Sequence, residues 1–70
     1  MAVTFSEYGK KIRHRLVDLD ENRSWLISQV RGKTGLYFDN GYLWKIETGR
    51  LETPSIIEAI NEILDIKEDT

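Results

Sequence analysis

The chain has 70 residues and a formal net charge of −2, with ten Lys and Arg, twelve Asp and Glu, and no Cys. A chain this short buries only about 60% of its unfolded surface, so it forms one small domain. The lack of Cys excludes disulfides and thiolate metal sites, and no apolar run is long enough for a membrane span or a signal peptide, so we expect a cytoplasmic protein without a membrane partner.

The charges are unevenly distributed along the chain. Up to Arg50 there are nine Lys and Arg against six Asp and Glu, whereas from Leu51 onward there are one and six. This asymmetry is typical of a chain with one basic face for an anionic partner. Two ordinary solvated surfaces would give the same counts, so the charges alone leave both interpretations open.

The first helix is predicted from its cap and its apolar spacing. Thr4 is the expected N-cap, because Glu7 follows it at the spacing of a capping box. Apolar residues then recur at helical spacing as far as Leu19. We therefore expect a helix from Phe5 to Leu19.

A second helix is expected after the polar turn DLDEN. Asn22 is its predicted N-cap, and the segment RSWLISQVRGK carries a broad apolar stripe that suits a core-facing helix. Gly32 and Gly35 both offer an end, because glycine accepts the left-handed conformation of a helix C-terminus. The following Leu36–Phe38 segment is too short for a strand, and we interpret it as an extended, packed connection.

Two further helices complete the chain. Asp39 is the predicted N-cap of a third helix from Asn40 to Thr48, with Gly49 as its stop. Thr53 is the predicted N-cap of a fourth helix, with Pro54 at its first position, where the missing N–H costs nothing. The predicted buried face of the fourth helix comprises Ile56, Ile57, Ala59, Ile60, Ile63 and Leu64. We expect an all-α domain over residues 1–66 and a frayed acidic tail over residues 67–70.

Three overlapping or neighbouring segments resemble the lambda-repressor/Cro-like helix-turn-helix family. NRSWLISQV (Asn22 to Val30) and LWKIETGR (Leu43 to Arg50) are similar to its second and third helices, and YGKKIRHRLVDLDENRSWL is similar to its first helix and turn. The resemblance covers Tyr8 to Leu64 and implies a compact bundle of four or five short helices. The connection between the second and third helices is longer than the family pattern, so either the second helix runs on or a loop bulges out.

This resemblance implies a sequence-specific, DNA-binding transcriptional regulator, such as a phage or mobile-element repressor. Its third helix would enter the major groove of double-stranded DNA, which is wide enough to admit a helix. The residues expected to read bases are Asn40, Gly41, Trp44 and Lys45. The residues expected to contact phosphates are Arg23, Lys33 and Arg50.

The expected base readers have different chemistry. Lys45 can donate to guanine O6 and N7, and Asn40 can pair in bidentate fashion with adenine. Gly41 has no side chain and allows close approach of the backbone. For Trp44 we expect partial packing against Leu36–Phe38, because full exposure of a large apolar ring is unfavourable.

No motif for catalysis or for a cofactor is present, since His14 is the only His and no nucleophile or nucleotide pattern occurs. We expect no enzymatic activity, no metal, no cofactor and no small-molecule substrate. A domain of this size would bind DNA as a homodimer. If any apolar surface remains exposed on the fourth helix, we expect the partner there, on Ile56, Ile60 and Ile63, with Leu51 or Ile66.

Two other functions fit the same sequence. The low net charge would suit a protein-interaction module, such as an antirepressor or adaptor that kept the fold and lost DNA binding. The aromatic connection would suit an architectural, excisionase-type DNA-binding protein that reaches a minor groove.

Overall fold

Four α-helices make up the regular secondary structure of residues 4–66, the part of the chain that the computed structural model describes. They are α1 (Glu7–Asp18), α2 (Arg23–Thr34), α3 (Asn40–Glu47) and α4 (Pro54–Leu64). Both α1 and α2 pack against α3 and α4. The predicted all-α fold is confirmed, and no strand occurs within residues 4–66. The predicted frayed tail, residues 67–70, lies outside the described residues.

A single hydrophobic core joins the four helices. Fully burying one of its large apolar side chains stabilises the fold by about 1.5–3 kcal/mol. The core residues are Ile12, Leu16, Leu26, Val30, Phe38, Leu43, Ile46, Ile56, Ala59, Ile60, Leu64 and Ile66. The helices therefore hold each other in place through one shared interior.

The apolar face of α4 is used up by this core. Ile56, Ile60 and Ile66 are all buried, so they leave no apolar surface for the expected partner. Because a small domain has few apolar residues, α4 buries them in its own interior. Of the residues expected to meet a partner, only Leu51 is exposed, and Ile63 is partly buried.

The N-terminus of α1 is fixed by Ser6, so the expected Thr4 cap is wrong. The Ser6 Oγ accepts a hydrogen bond from the Gly9 N–H at 3.0 Å. The Ser6 Oγ–H and N–H also donate to the backbone oxygen of Glu47, at 3.0 and 2.9 Å. Ser6 is the cap rather than Thr4 because it can bond to the start of α1 and to the end of α3 simultaneously. As a result, α1 begins at Glu7 rather than at Phe5.

The long connection between the second and third helices is divided between extra helix and loop. α2 runs past Gly32 to Thr34 and ends at Gly35, which adopts the left-handed conformation at φ 70°. Within the remaining connection, the Leu36 N–H donates to the Thr34 hydroxyl at 3.1 Å. Phe38 is fully buried. The connection is therefore anchored in the core rather than bulging freely.

The predicted cap of α3 forms, whereas the predicted cap of α4 makes no capping hydrogen bond. Asp39 caps α3, because its Oδ1 accepts from the Tyr42 N–H at 2.8 Å. Thr53 occupies the N-cap position of α4, before Pro54, but its side chain makes no capping hydrogen bond. Its hydroxyl pairs with the Tyr42 hydroxyl instead, which ties the start of α4 to α3.

Candidate nucleic-acid interface

The outer face of α3 carries all four residues expected to read bases. Leu43, Ile46 and Glu47 are buried, which turns the opposite side of this two-turn helix outward. The exposed side presents Asn40, Gly41, Trp44 and Lys45. The predicted orientation of the helix, with Leu43 and Ile46 toward the core, is confirmed.

Arg23 joins the start of α2 to both ends of α3. Its Nε–H donates to Asn40 Oδ1 at 3.0 Å, and its Nη1 forms an ion pair and hydrogen bond with Glu47 Oε1. These bonds use two of the five N–H donors of the guanidinium group. Arg23 is 30% exposed, so the remaining donors keep access to the surface beside Asn40.

Glu47 is the residue of this candidate site that sequence reasoning missed. Its side chain is fully buried, and its second oxygen, Oε2, has no hydrogen-bond partner among the described residues. A buried carboxylate is stable only when it is paired, so Arg23 is the group that allows Glu47 to lie there. The signal was its position, four residues after Leu43 and next to Ile46 on the apolar stripe.

Trp44 packs against the N-terminal segment of the chain. Its ring meets the Phe5 ring edge to face, with centroids 5.7 Å apart. The Arg13 guanidinium lies over the Phe5 ring, 4.6 Å from its centroid. Trp44 therefore packs against Phe5 and not against Leu36–Phe38 as expected. Phe38 is buried in the core, where its ring contacts that of Tyr42.

The second arginine, Arg13, belongs to the same surface as Arg23. Both line one groove, with Glu47 at its base. Sequence reasoning did not select Arg13, because one of several cations on α1 is not distinguished by spacing alone. The structure thus brings Arg13, Arg23, Trp44 and Asn40 together around the outer face of α3.

The other residues expected to bind phosphates lie apart from this cluster. Lys33 pairs with Glu62 of α4, with Nζ 2.7 Å from Oε2. It follows Arg23 by ten residues, which corresponds to about 15 Å along a helix. Arg50 is exposed and lies three residues after the end of α3, where its N–H donates to the Lys45 backbone oxygen at 2.8 Å. Arg50 is therefore the better placed of the two.

An aromatic group and a carboxylate interact at the start of α3. The Tyr37 hydroxyl donates to Asp39 Oδ2, while Oδ1 caps the helix through the Tyr42 N–H. The hydrogen bond from Tyr37, and then the one from Tyr42, lower the pKa of Asp39 below its ordinary value of 3.8. The same Tyr37–Asp39 bond, with the nearby carboxylate charge, raises the pKa of Tyr37 above 10.0.

The lowered pKa of Asp39 makes the stability of the fold depend on pH. The Asp39 carboxylate stabilises the fold above its unfolded pKa, and this contribution is lost as the pH falls through its lower folded pKa. Between about pH 4 and pH 2, we expect the unfolding midpoint of the wild type to fall more steeply than that of Asp39→Asn. Asn caps a helix but does not titrate. Thermal unfolding followed by circular dichroism gives both curves, and parallel curves would contradict this role of Asp39.

No family model, curated protein or solved structure matches the chain. The chemistry of the surface consists of hydrogen-bond donors and an aromatic ring on an exposed helix. Within residues 4–66, no helix is long and apolar enough to cross a membrane.

Proposed function

We propose that this protein is a sequence-specific transcriptional regulator that binds double-stranded DNA through a helix-turn-helix formed by α2 and α3. The observation that carries the proposal is the outer face of α3, where Asn40, Trp44 and Lys45 lie exposed. Arg23 bonds to Asn40, and Arg13 lies over the Phe5 ring that packs on Trp44. Hydrogen-bond donors on one exposed helix suit the acceptor-rich edges of the major groove and its phosphates. The protein acts in the cytoplasm by occupying its site, without catalysis or a cofactor.

The surface divides into two kinds of contact. Asn40 and Lys45 on α3 face the bases and give sequence preference. Arg13, Arg50 and the free donors of Arg23 lie around that helix and contact phosphates, which position the protein without specifying sequence. Lys33 is engaged with Glu62 and contributes less than the other cations.

The proposed regulator binds as a homodimer on a pseudo-palindromic site. One two-turn helix reads few base pairs, and two copies about one turn of DNA apart double the number of base contacts. Leu51, which follows α3 and is 36% exposed, is the remaining apolar residue of the predicted partner surface. Analytical ultracentrifugation with and without the DNA site tests this state.

The salt dependence of DNA binding tests the proposal. Titration of random-sequence duplex DNA should give an affinity that falls with salt at a log–log slope of about −0.9 per phosphate neutralised. Selection from a random library should then yield a preferred site. No binding at low salt would reject the function and favour a protein-interaction module.

Lys45 and Arg50 should differ in the kind of affinity they supply. We expect Lys45→Ala to cost about 1–3 kcal/mol on the preferred site and much less on random DNA, because a base contact is lost. Arg50→Ala should weaken both about equally and reduce the salt slope by roughly one unit. Each mutant is titrated on both duplexes, with circular dichroism as the test of folding.

The matched control for these two variants is Lys11→Ala. Lys11 is an exposed cation on α1 that lines a groove with Asp65 and Ile66, separate from the groove that Arg13 and Arg23 line. Its loss should leave both affinities nearly unchanged. If Lys45→Ala lowers both affinities in parallel, Lys45 is a phosphate contact and the assumed orientation of α3 in the groove is wrong.

One observation favours the alternative of a protein partner. Leu36 and Tyr37 are 47% and 73% exposed on the connection before α3, and exposed apolar groups of this size are common at protein interfaces. An antirepressor or adaptor would bind through this connection. Substitution of Leu36 by Ser would then weaken binding of the partner while leaving any DNA affinity intact.

A further inference from the structure

Arg23 and Asn40 form a pair whose outward groups are hydrogen-bond donors. Arg23 Nε carries a hydrogen and cannot accept, so the Asn40 atom 3.0 Å away is its carbonyl Oδ1. The amide Nδ2–H₂ of Asn40 is thereby directed away from Arg23. Beside it, three N–H groups of the guanidinium are not used by Asn40 or Glu47.

The buried Glu47 holds this arrangement in place. Its carboxylate pairs with Arg23 Nη1 from inside the core, where it is fully inaccessible to solvent. An arginine fixed at one end by a buried ion pair has few rotamers left. The Nε–H of Arg23 therefore points at Asn40, whose amide takes the orientation that accepts this hydrogen bond.

A fixed donor pair selects among bases. Adenine presents N7 as an acceptor and N6–H₂ as a donor, and an Asn reads it with both its oxygen and its nitrogen. Here Arg23 takes one lone pair of Oδ1, and its cationic group repels the N6 amino hydrogens from the other. Guanine presents only acceptors in this position, N7 and O6, to which the outward Nδ2–H₂ of Asn40 can donate.

We infer that Glu47 and Arg23 set the base specificity of Asn40, which then reads guanine rather than the adenine expected for an unconstrained Asn. Glu47 is a positioning residue that acts through Arg23 and touches no DNA. The inference rests on the proposed DNA-binding function and adds to it the identity of one base. It concerns which base is chosen, and so it is separable from affinity.

The test compares the base preferred by the wild type with that of Arg23→Met/Glu47→Met. Replacing both members of a buried pair by apolar residues of similar size keeps the fold and frees the Asn40 amide. The position that Asn40 reads is the one whose preference disappears in Asn40→Ala. We expect the wild type to favour guanine there by about 5-fold or more, and the double variant to favour adenine.

Arg15→Met/Asp18→Met is the matched control. Arg15 and Asp18 form an ion pair on α1, with Nη1 3.1 Å from Oδ2, so the control also removes one arginine and one acid. It should keep the preference for guanine. A change of base in this control as well would show that loss of any ion pair alters specificity, and would overturn the inference.

A second variant covers the case in which the double variant does not fold. Asn40→Asp leaves the Arg23–Glu47 pair intact, is favourable in the first turn of a helix, and replaces the outward donor by an acceptor. It should lose guanine and gain preference for cytosine, whose N4 amino group donates. Circular dichroism and thermal unfolding establish which variants are folded.

The outcomes separate the inference from the proposed function. If the wild type selects no site from a random library, the DNA-binding function is wrong, and the inference falls with it. If the wild type selects a site but reads adenine at this position, the inference alone is wrong. It is also overturned if guanine persists in the folded double variant or in Asn40→Asp.

Discussion

Gly9→Ala is expected to destabilise the protein strongly, although it adds only one methyl group. A Cβ at this position would lie 2.1 Å from the backbone oxygen of Glu47, far inside contact distance. The obstacle is main chain and cannot rotate away, so α1 and α3 must separate. Overpacking of this kind costs about 1–3 kcal/mol, which shifts the unfolding midpoint of so small a domain by roughly 4–20 °C.

Gly32→Ala provides the matched comparison within the same fold. Gly32 lies inside α2, and beyond its own helix backbone and chain neighbours an added Cβ would meet no described atom within 4 Å. The substitution therefore gains helix propensity without a clash and should stabilise the protein by about 0.5–1 kcal/mol. Thermal and urea unfolding measure both variants. Equal stability of Gly9→Ala and the wild type would contradict the close contact between α1 and α3.

Arg23→Met is the second substitution with a large expected effect. It leaves the fully buried Glu47 carboxylate without its cation, and such uncompensated charges cost several kcal/mol. Because Arg23 itself is partly exposed and water can reach the groove, we expect a loss of about 2–4 kcal/mol. Denaturant unfolding gives the value. A loss of DNA binding in this variant could therefore be caused by unfolding, and would not by itself show that Arg23 contacts phosphate.

Two comparisons establish the cause. Adding Glu47→Met should recover most of the stability, because the unpaired charge is then removed along with its partner. Lys33→Met breaks the exposed pair with Glu62 and should cost only about 0–1 kcal/mol. If Arg23→Met costs no more than Lys33→Met, the Glu47 pair is not the main contribution of Arg23.

Local signals were enough to predict the four helices and several of their ends. Asn22, Gly35, Asp39 and Gly49 act as predicted, because each depends on neighbours within a few residues of chain. Thr4 failed because Ser6, two residues later, has the same hydroxyl chemistry and also a partner on α3. The choice between two such caps is made by a distant segment that local sequence does not reveal.

Local sequence was likewise enough to predict only part of the candidate site. The outward direction of Asn40, Trp44 and Lys45 follows from helical periodicity, and it was found. The bonds from Arg23 to Asn40 and Glu47, and the edge-to-face contact of Trp44 with Phe5, join segments far apart in the chain. Spacing along one helix carries no information about such partners, so they required the packed structure.

Because α3 is short, the proposed DNA binding should depend on temperature in the same way as the fold itself. A helix of eight residues is marginal by itself in water, and this one persists because Leu43, Ile46 and Glu47 belong to the interior. It cannot melt locally without opening that interior, so the surface that we propose reads DNA and the whole fold form one cooperative unit. Occupancy of the DNA site should then decline over the same temperature interval as global unfolding, which would make the proposed regulator release its operator abruptly on heating.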